Sequence, residues 1–331
     1  MHKLFQRLGL FTTLFALVVI VLGAFVRLSD AGLGCPDWPG CYGEIVVPSS
    51  EEAVLEAQAR HPERALESDK AWKEMAHRYF AGTLGLLILV LAIIAWLNRK
   101  DDEQQLFLPT FLVGLVVFQA ALGMWTVTLL LKPVIVTLHL LAGMATLGLL
   151  CLMTLSAGRK TSIFADKPPF GLKALAFTAL IVLIGQIALG GWTSTNYVAL
   201  HCPDFPTCQG RWLPELDMDE AFTIWRDSGV DYEGGVLSLN AGVTVHFMHR
   251  VGALTVLLVV GLLAFRCLLG GYSGVRLLGG TVLLLLLVQI SLGIANVMLR
   301  LPMPVAVSHN GVAALLLMSL LALNFKLSRA S

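Results

Sequence analysis

Glu74-Met75-Ala76-His77-Arg78 stands where a charged stretch gives way to the apolar run 79–97. The arrangement returns as His246-Phe247-Met248-His249-Arg250, which opens the run 251–265. A histidine entering a bilayer is expensive to bury, so it is a functional candidate by default. His139 and His309 lie just inside the outer ends of two other apolar runs. This repeated placement decides the fold: a duplicated membrane scaffold that holds four imidazoles in two pairs.

Composition agrees. Of 331 residues, 56% are hydrophobic and only 14% are charged. Mean hydropathy is +0.78. A water-soluble chain has no way to hide that much apolar surface, so an all-α polytopic membrane protein is expected. The net charge of +1 points to no partner, and no basic block or nucleic-acid motif is present. The first run, 8–26, follows Lys3 and Arg7 and imitates a signal peptide. It is long enough to span and lacks a small-x-small cleavage site, so it is expected to be a helix.

Eight runs reach spanning length, at about 8–28, 77–97, 106–128, 135–155, 172–192, 243–265, 275–297 and 305–326. The even count puts both termini on one face. Lys3, Arg7, Arg99, Lys100, Arg159, Lys160, Lys167 and Arg266 fall on that face, whereas the short loops opposite hold only Lys132 and Arg300. The excess of positive charge predicts cytoplasmic termini and exterior or periplasmic long loops, 29–76 and 193–242.

The two halves repeat. Cys35-Pro-Asp-Trp-Pro-Gly-Cys41 matches Cys202-Pro-Asp-Phe-Pro-Thr-Cys208, 167 positions on. Gln119-x-x-Leu122-Gly123 matches Gln289-x-x-Leu292-Gly293, His77 maps to His249 and His139 to His309, all 170 to 172 positions on. A repeat of four helices keeps its orientation in the membrane, so two pseudo-symmetric four-helix bundles are expected, 1–158 and 159–331, joined near 156–171. Gly190-Gly191 and Gly279-Gly280 suit close helix contacts.

Within each half the two histidines sit on antiparallel helices, on the order of 6 Å inside the outer boundary at 1.5 Å per residue. Two imidazoles at one depth on facing helices can clamp a haem iron from both sides. A lone membrane histidine is as readily a hydrogen-bonded link between helices; four in matching repeat positions argue against that. A closed zinc site wants four clustered N/S ligands, and each pair offers two. Arg78 and Arg250 stand at the water boundary, where an arginine fork can bind a propionate or simply anchor the helix. Three residues before the histidine the halves differ, with Glu74 in the first and His246 in the second. Residues at i and i+3 share a helix face, so Glu74 is expected to look toward whatever His77 binds and to move protons as C–H bonds are oxidised. That difference makes the first half the reactive site and the second the resident cofactor site. A solvated helix-end acid beside Lys73 is the plain alternative.

Cys35/Cys41 and Cys202/Cys208 lie in exterior loops, where disulfides persist, and the intervening prolines favour a turn that joins them. The second pair reads as structural; for the first, a redox role stays open. Cys151 and Cys267 read as packing residues, and His2, His61 and His201 as surface residues.

Over nearly its full length the chain resembles the haem A synthase family. Glu74-Met75-Ala76-His77-Arg78, Thr137-Leu138-His139, His246-Phe247-Met248-His249-Arg250, Ser308-His309-Asn310 and the two Cys-Pro-Asp segments carry the resemblance. The resemblance implies that His249 and His309 ligate a resident haem b, and that His77 and His139 hold substrate haem O with Glu74 essential beside it. The implied reaction oxidises one porphyrin methyl to an alcohol and then, through a hydrated intermediate, to the formyl group of haem A. Cys35/Cys41 would serve as electron relay, in haem handling or as a structural link. The implied setting is the bacterial inner membrane, with an unidentified electron donor or acceptor and haem O synthase as a candidate partner. Two other readings use the same features: a di-haem b-type electron carrier, which needs no Glu74, and a transporter built on parallel repeats, which would place its site at the midplane.

Overall fold

The computed structural model describes residues 2–101, 104–157, 170–270 and 273–329. Ten helices are present there: α1 His2–Leu28, α2 Glu51–Arg60, α3 Ser68–Leu97, α4 Phe107–Thr128, α5 Pro133–Ser156, α6 Phe170–Thr195, α7 Met218–Ala221, α8 Leu239–Leu269, α9 Ser273–Met298 and α10 Met303–Ser328. All but α2 and α7 are long and apolar enough to cross a membrane, eight in number as the hydropathy predicts. With no water in the hydrocarbon, each spanning segment must satisfy its own backbone, and a continuous helix does so.

Around one ring α1 packs on α3, α3 on α4, α4 on α5 and α5 on α1. The second ring runs α6, α8, α9, α10 in the same order. The rings meet where α1 and α5 touch α10 and where α5 touches α6. A single apolar cluster draws on all eight spans, from Ala16 and Ile88 through Leu147 and Leu183 to Val260, Leu286 and Leu320. Most of its residues occupy the half of each span nearer the termini, and the four histidines lie in the other half. The expected junction near 156–171 falls largely on 158–169, outside the described residues, as do Arg159, Lys160 and Lys167.

Two helices start earlier than apolarity alone suggests. α3 begins at Ser68, nine residues before His77, and α8 at Leu239, where the Ser238 side chain caps the helix by accepting from the Ala241 N–H. The extra turns are polar or mixed and project beyond the apolar span, so hydropathy does not see them. The histidines they carry are therefore one turn or more inside a helix rather than at its frayed end.

Matching turns seat the other two histidines. Leu130 and Leu131 take positive φ at the end of α4, and Arg300 and Leu301 do so at the end of α9. The N–H of Leu131 reaches back to the Thr126 carbonyl at 2.8 Å, and that of Leu301 to Asn296 at 2.6 Å. These six-residue returns satisfy the helix-end carbonyls, and a proline in the first turn then opens the next helix. In this way His139 becomes the seventh residue of α5 and His309 the seventh of α10.

Candidate haem-binding sites

Each histidine turns its ring edge toward a glycine on the neighbouring helix. A methyl group added at Gly23 of α1 would lie 2.9 Å from Cε1 of His77. Gly123 of α4 stands behind His139 at 3.3 Å, Gly190 of α6 behind His249 at 3.2 Å, and Gly293 of α9 behind His309 at 3.2 Å. The four glycines obey the same repeat as the histidines. Any larger residue there would push the ring off its place, because packed interiors have no slack of that size.

Within each half the two imidazoles lie in electrostatic reach of each other, His77 with His139 and His249 with His309. The Nδ1 atoms of His77, His139 and His309 are buried without a hydrogen-bond partner. Buried polar atoms left bare are uncommon and ask for a reason. Among the described residues no three His, Cys, Asp or Glu side chains converge on a common point. A bare metal ion would find two ligands and no more. A flat macrocycle that brings its own four nitrogens needs only those two, so the donor set fits haem.

The halves differ in what grips the rings. Gln186 places Nε2 3.0 Å from Nδ1 of His249 and donates to the His249 carbonyl at 2.9 Å. Gln289 places Nε2 3.2 Å from a ring nitrogen of His309. Gln119, the counterpart of Gln289, reaches only the backbone carbonyl of His139, at 2.8 Å. A ring held by a second residue is fixed in tautomer and orientation. Both imidazoles of the C-terminal pair have a glutamine side chain at a ring nitrogen, and among the described residues neither imidazole of the N-terminal pair does.

Above the histidines, disulfides join Cys35 to Cys41 and Cys202 to Cys208. In each loop the aspartate of Cys-Pro-Asp folds back on the hairpin turn. Asp37 accepts from the N–H groups of Tyr42 and Gly43 at 2.6 and 2.7 Å. Asp204 accepts from Gln209 at 2.6 Å and Gly210 at 3.0 Å, and from the Thr207 hydroxyl. The Thr207 hydroxyl, followed by the Gly210 and Gln209 N–H groups, holds the Asp204 carboxyl down at about 2. This work for the two aspartates was not read from the sequence, although the repeated Cys-Pro-Asp signalled it.

The arginines hold the same loops. Arg78 donates to the carbonyls of Asp37 at 3.0 Å, Pro39 at 3.3 Å and Gly40. Arg250 donates to Cys202 at 2.6 Å and to Asp204 and Thr207 at 2.8 Å each. The sequence offered either a fork for a propionate or an anchor for the helix; in the structure both guanidiniums bond the carbonyls of the disulfide loops.

Glu74 also differs in setting from the expectation. It is 5% exposed, and instead of facing only the His77 ligand its oxygens are engaged: Oε1 accepts from Arg78 at 2.5 Å and Oε2 from the Cys35 N–H at 2.9 Å. It is therefore no solvated helix-end acid. His246 repeats the second bond, accepting from the Cys202 N–H at 3.1 Å. The i−3 position thus fastens the disulfide loop to the histidine helix in both halves, with an acid in one and an imidazole in the other.

Residues 6–321 match the COX15-CtaA family, described as cytochrome oxidase assembly protein. The chain is 46% identical to the heme A synthase of Shewanella oneidensis over 95% of its length and 94% of the relative's. It is 26% identical to the heme A synthase of Halalkalibacterium halodurans, over 99% of each chain. It is 28% identical to that of Chelativorans sp., over 96% of this chain and 89% of the relative. By that match along its length and its eight-span, duplicated-histidine architecture, the chain belongs to the COX15-CtaA family.

Proposed function

We propose that this chain makes haem A, by oxidising one ring methyl of haem O to a formyl group within the membrane. The observation that carries the reading is the fourfold histidine–glycine arrangement, two imidazoles per bundle and three of the four with a bare buried ring nitrogen, in a chain whose relatives are named heme A synthases. The reading divides the chain at 158/159. His77 and His139 of the first half hold substrate haem O, and His249 and His309 of the second hold a resident haem b. The glutamine bonds support this division. A cofactor that stays wants rigid ligands, whereas a substrate that leaves as product wants ligands that let go.

When bound, the resident haem b supplies one-electron transfer. The chain does the rest. Converting a methyl to a formyl group takes up one oxygen, here from water, and releases electrons to the external acceptor and protons; Glu74, one helical turn from His77, is the carboxylate placed to take the protons. Arg78 holds Oε1 of that carboxylate and the Cys35 N–H holds Oε2, so its position is set by the loop above. Arg78 and Arg250 first staple the loops; a propionate would meet the N–H groups those bonds leave. The disulfide loops cover the histidines from the aqueous side.

The positive-charge bias supports cytoplasmic termini and exterior disulfide loops in an inner membrane. An electron acceptor and haem O synthase as neighbour belong to the same proposal. The di-haem carrier is not favoured, because the relatives that match this chain along nearly its whole length are named heme A synthases. The test is product chemistry: the chain is expressed with a haem O source and the pigments are extracted. Haem A supports the reading, and unchanged haem O in a correctly folded, haem-loaded protein rejects it.

A further inference from the structure

We infer that the chain just past each disulfide is a lipid anchor that dips into the leaflet on the loop face. The residues are Ile45 and Val46 in the first loop and Trp212 and Leu213 in the second. They are 79%, 54%, 75% and 69% exposed. Exposed apolar pairs of this size at a loop tip call for an explanation. The two pairs occupy equivalent positions of the repeat, 167 residues apart, although the side chains differ. What the repeat keeps is apolarity at an exposed place, not a packing shape.

Two features set the height of these tips. Arg78 and Arg250 tie the disulfide loops down to the first turn of the lipid-facing part of α3 and α8. The next residues on those helices, Tyr79 and Val251, are already exposed on the spanning surface. In the first half the link is direct: the Tyr79 hydroxyl donates to the Ile45 carbonyl at 2.5 Å. Short hairpin bridges, Cys41 with Glu44 and Cys208 with Arg211, then turn the chain so that the apolar pair follows at once. Each pair therefore continues the apolar surface of the helices outward, with a charged residue, Glu44 or Arg211, immediately before it.

That surface already faces lipid in a chain with eight spans, and the tips extend it to the headgroup level, where tryptophan is favoured because one edge is apolar and the other wet. The occupant is thus the lipid of the loop-face leaflet. The anchors hold the disulfide loops, and the Glu74 and His246 bonds beneath them, at a fixed depth. This inference goes beyond the proposed reaction and does not depend on it.

The test uses the full chain in nanodiscs, with wild type and Trp212→Phe compared in plain phosphatidylcholine and in phosphatidylcholine brominated high on the acyl chain. The difference between the two proteins isolates Trp212 from the other tryptophans. The inference expects that difference to fall roughly twofold or more in brominated discs and to resist aqueous iodide. Ile45→Trp, added to Trp212→Phe, reports the first tip in the same way. Quenching by iodide but not bromine would place the tips in water. Indifference to both quenchers would mean that protein covers them, and either outcome overturns the inference. If Trp212→Phe fails to fold, Ile45→Trp in the wild-type background gives the same reading from the fluorescence it adds.

Discussion

Gly190→Ala is the perturbation that most cleanly separates a ring-setting glycine from an ordinary helix contact. The added carbon would sit 3.2 Å from Cε1 of His249, closer than the 3.4 Å at which ordinary contact begins. The imidazole must retreat by a few tenths of an ångström, and Gln186 at Nδ1 resists that movement. Overpacking of this kind costs about 1–3 kcal/mol. At 1.4 kcal/mol per decade that is a loss of roughly 5- to 150-fold in haem affinity. The same substitution also relieves backbone entropy by about 0.5–1 kcal/mol, so it needs an internal control. Gly185→Ala supplies it, on the same helix, exposed, with no heavy atom within 4 Å of the new carbon. The assay is haem b retained per protein after detergent washing, with thermal stability measured beside it. Gly190→Ala should lose haem while remaining folded, and Gly185→Ala should keep it and gain slight stability. Equal haem retention in the two variants would refute the idea that glycine sets the ring.

Three further outcomes follow. Gln186→Leu leaves Nδ1 of His249 without its partner and should weaken haem b binding by a few-fold to about tenfold, the net worth of one hydrogen bond of about 0.5–1.5 kcal/mol; a shift in the haem midpoint potential should accompany it, and an unchanged potential would remove Gln186 from the ligand's support. Glu74→Gln keeps a hydrogen-bonding group for the Cys35 N–H but loses the proton acceptor, so haem b content should stay near wild type while extracted haem A disappears; normal haem A would take Glu74 out of the chemistry. For the second disulfide loop, the Asp204 carboxyl lies below its ordinary 3.8, at about 2. A depressed acid contributes stability that is complete above its unfolded value and is lost as pH falls through the folded one. Loop protection in hydrogen exchange should thus be insensitive to this group from neutral pH to about 5 and fall between about 4 and 2, and Asp204→Asn should remove that step.

Much of this molecule was legible in the residue string, for reasons that differ along it. The eight spans were, because apolarity over about twenty residues has few other meanings. The duplicated histidines were, because polar residues inside apolar runs stand out. The starts of α3 and α8 were not: their outer turns, such as Ser68 to Lys70, are polar and read as loop. Gly190 was read only as a close helix contact and Gly23 not at all; that each backs a histidine was hidden, because nothing in a sequence tells which helix faces which. Gln119 and Gln289, by contrast, had already appeared as matched repeat positions without a reason. Arg78, Arg250 and Glu74 were found as residues but not as bonding partners. A charge at the water boundary announces itself, whereas the loop carbonyl or N–H that binds it comes from forty residues away.

The division of labour between the two histidine pairs is the claim most open to a direct measurement. The optical spectrum and extracted pigments of His249→Ala and His77→Ala, each made with a haem O source, would test it. The account predicts that His249→Ala loses the stable haem b spectrum, and that His77→Ala keeps it while yielding no haem A. A normal bis-histidine spectrum in His249→Ala, or haem A from His77→Ala, would contradict it.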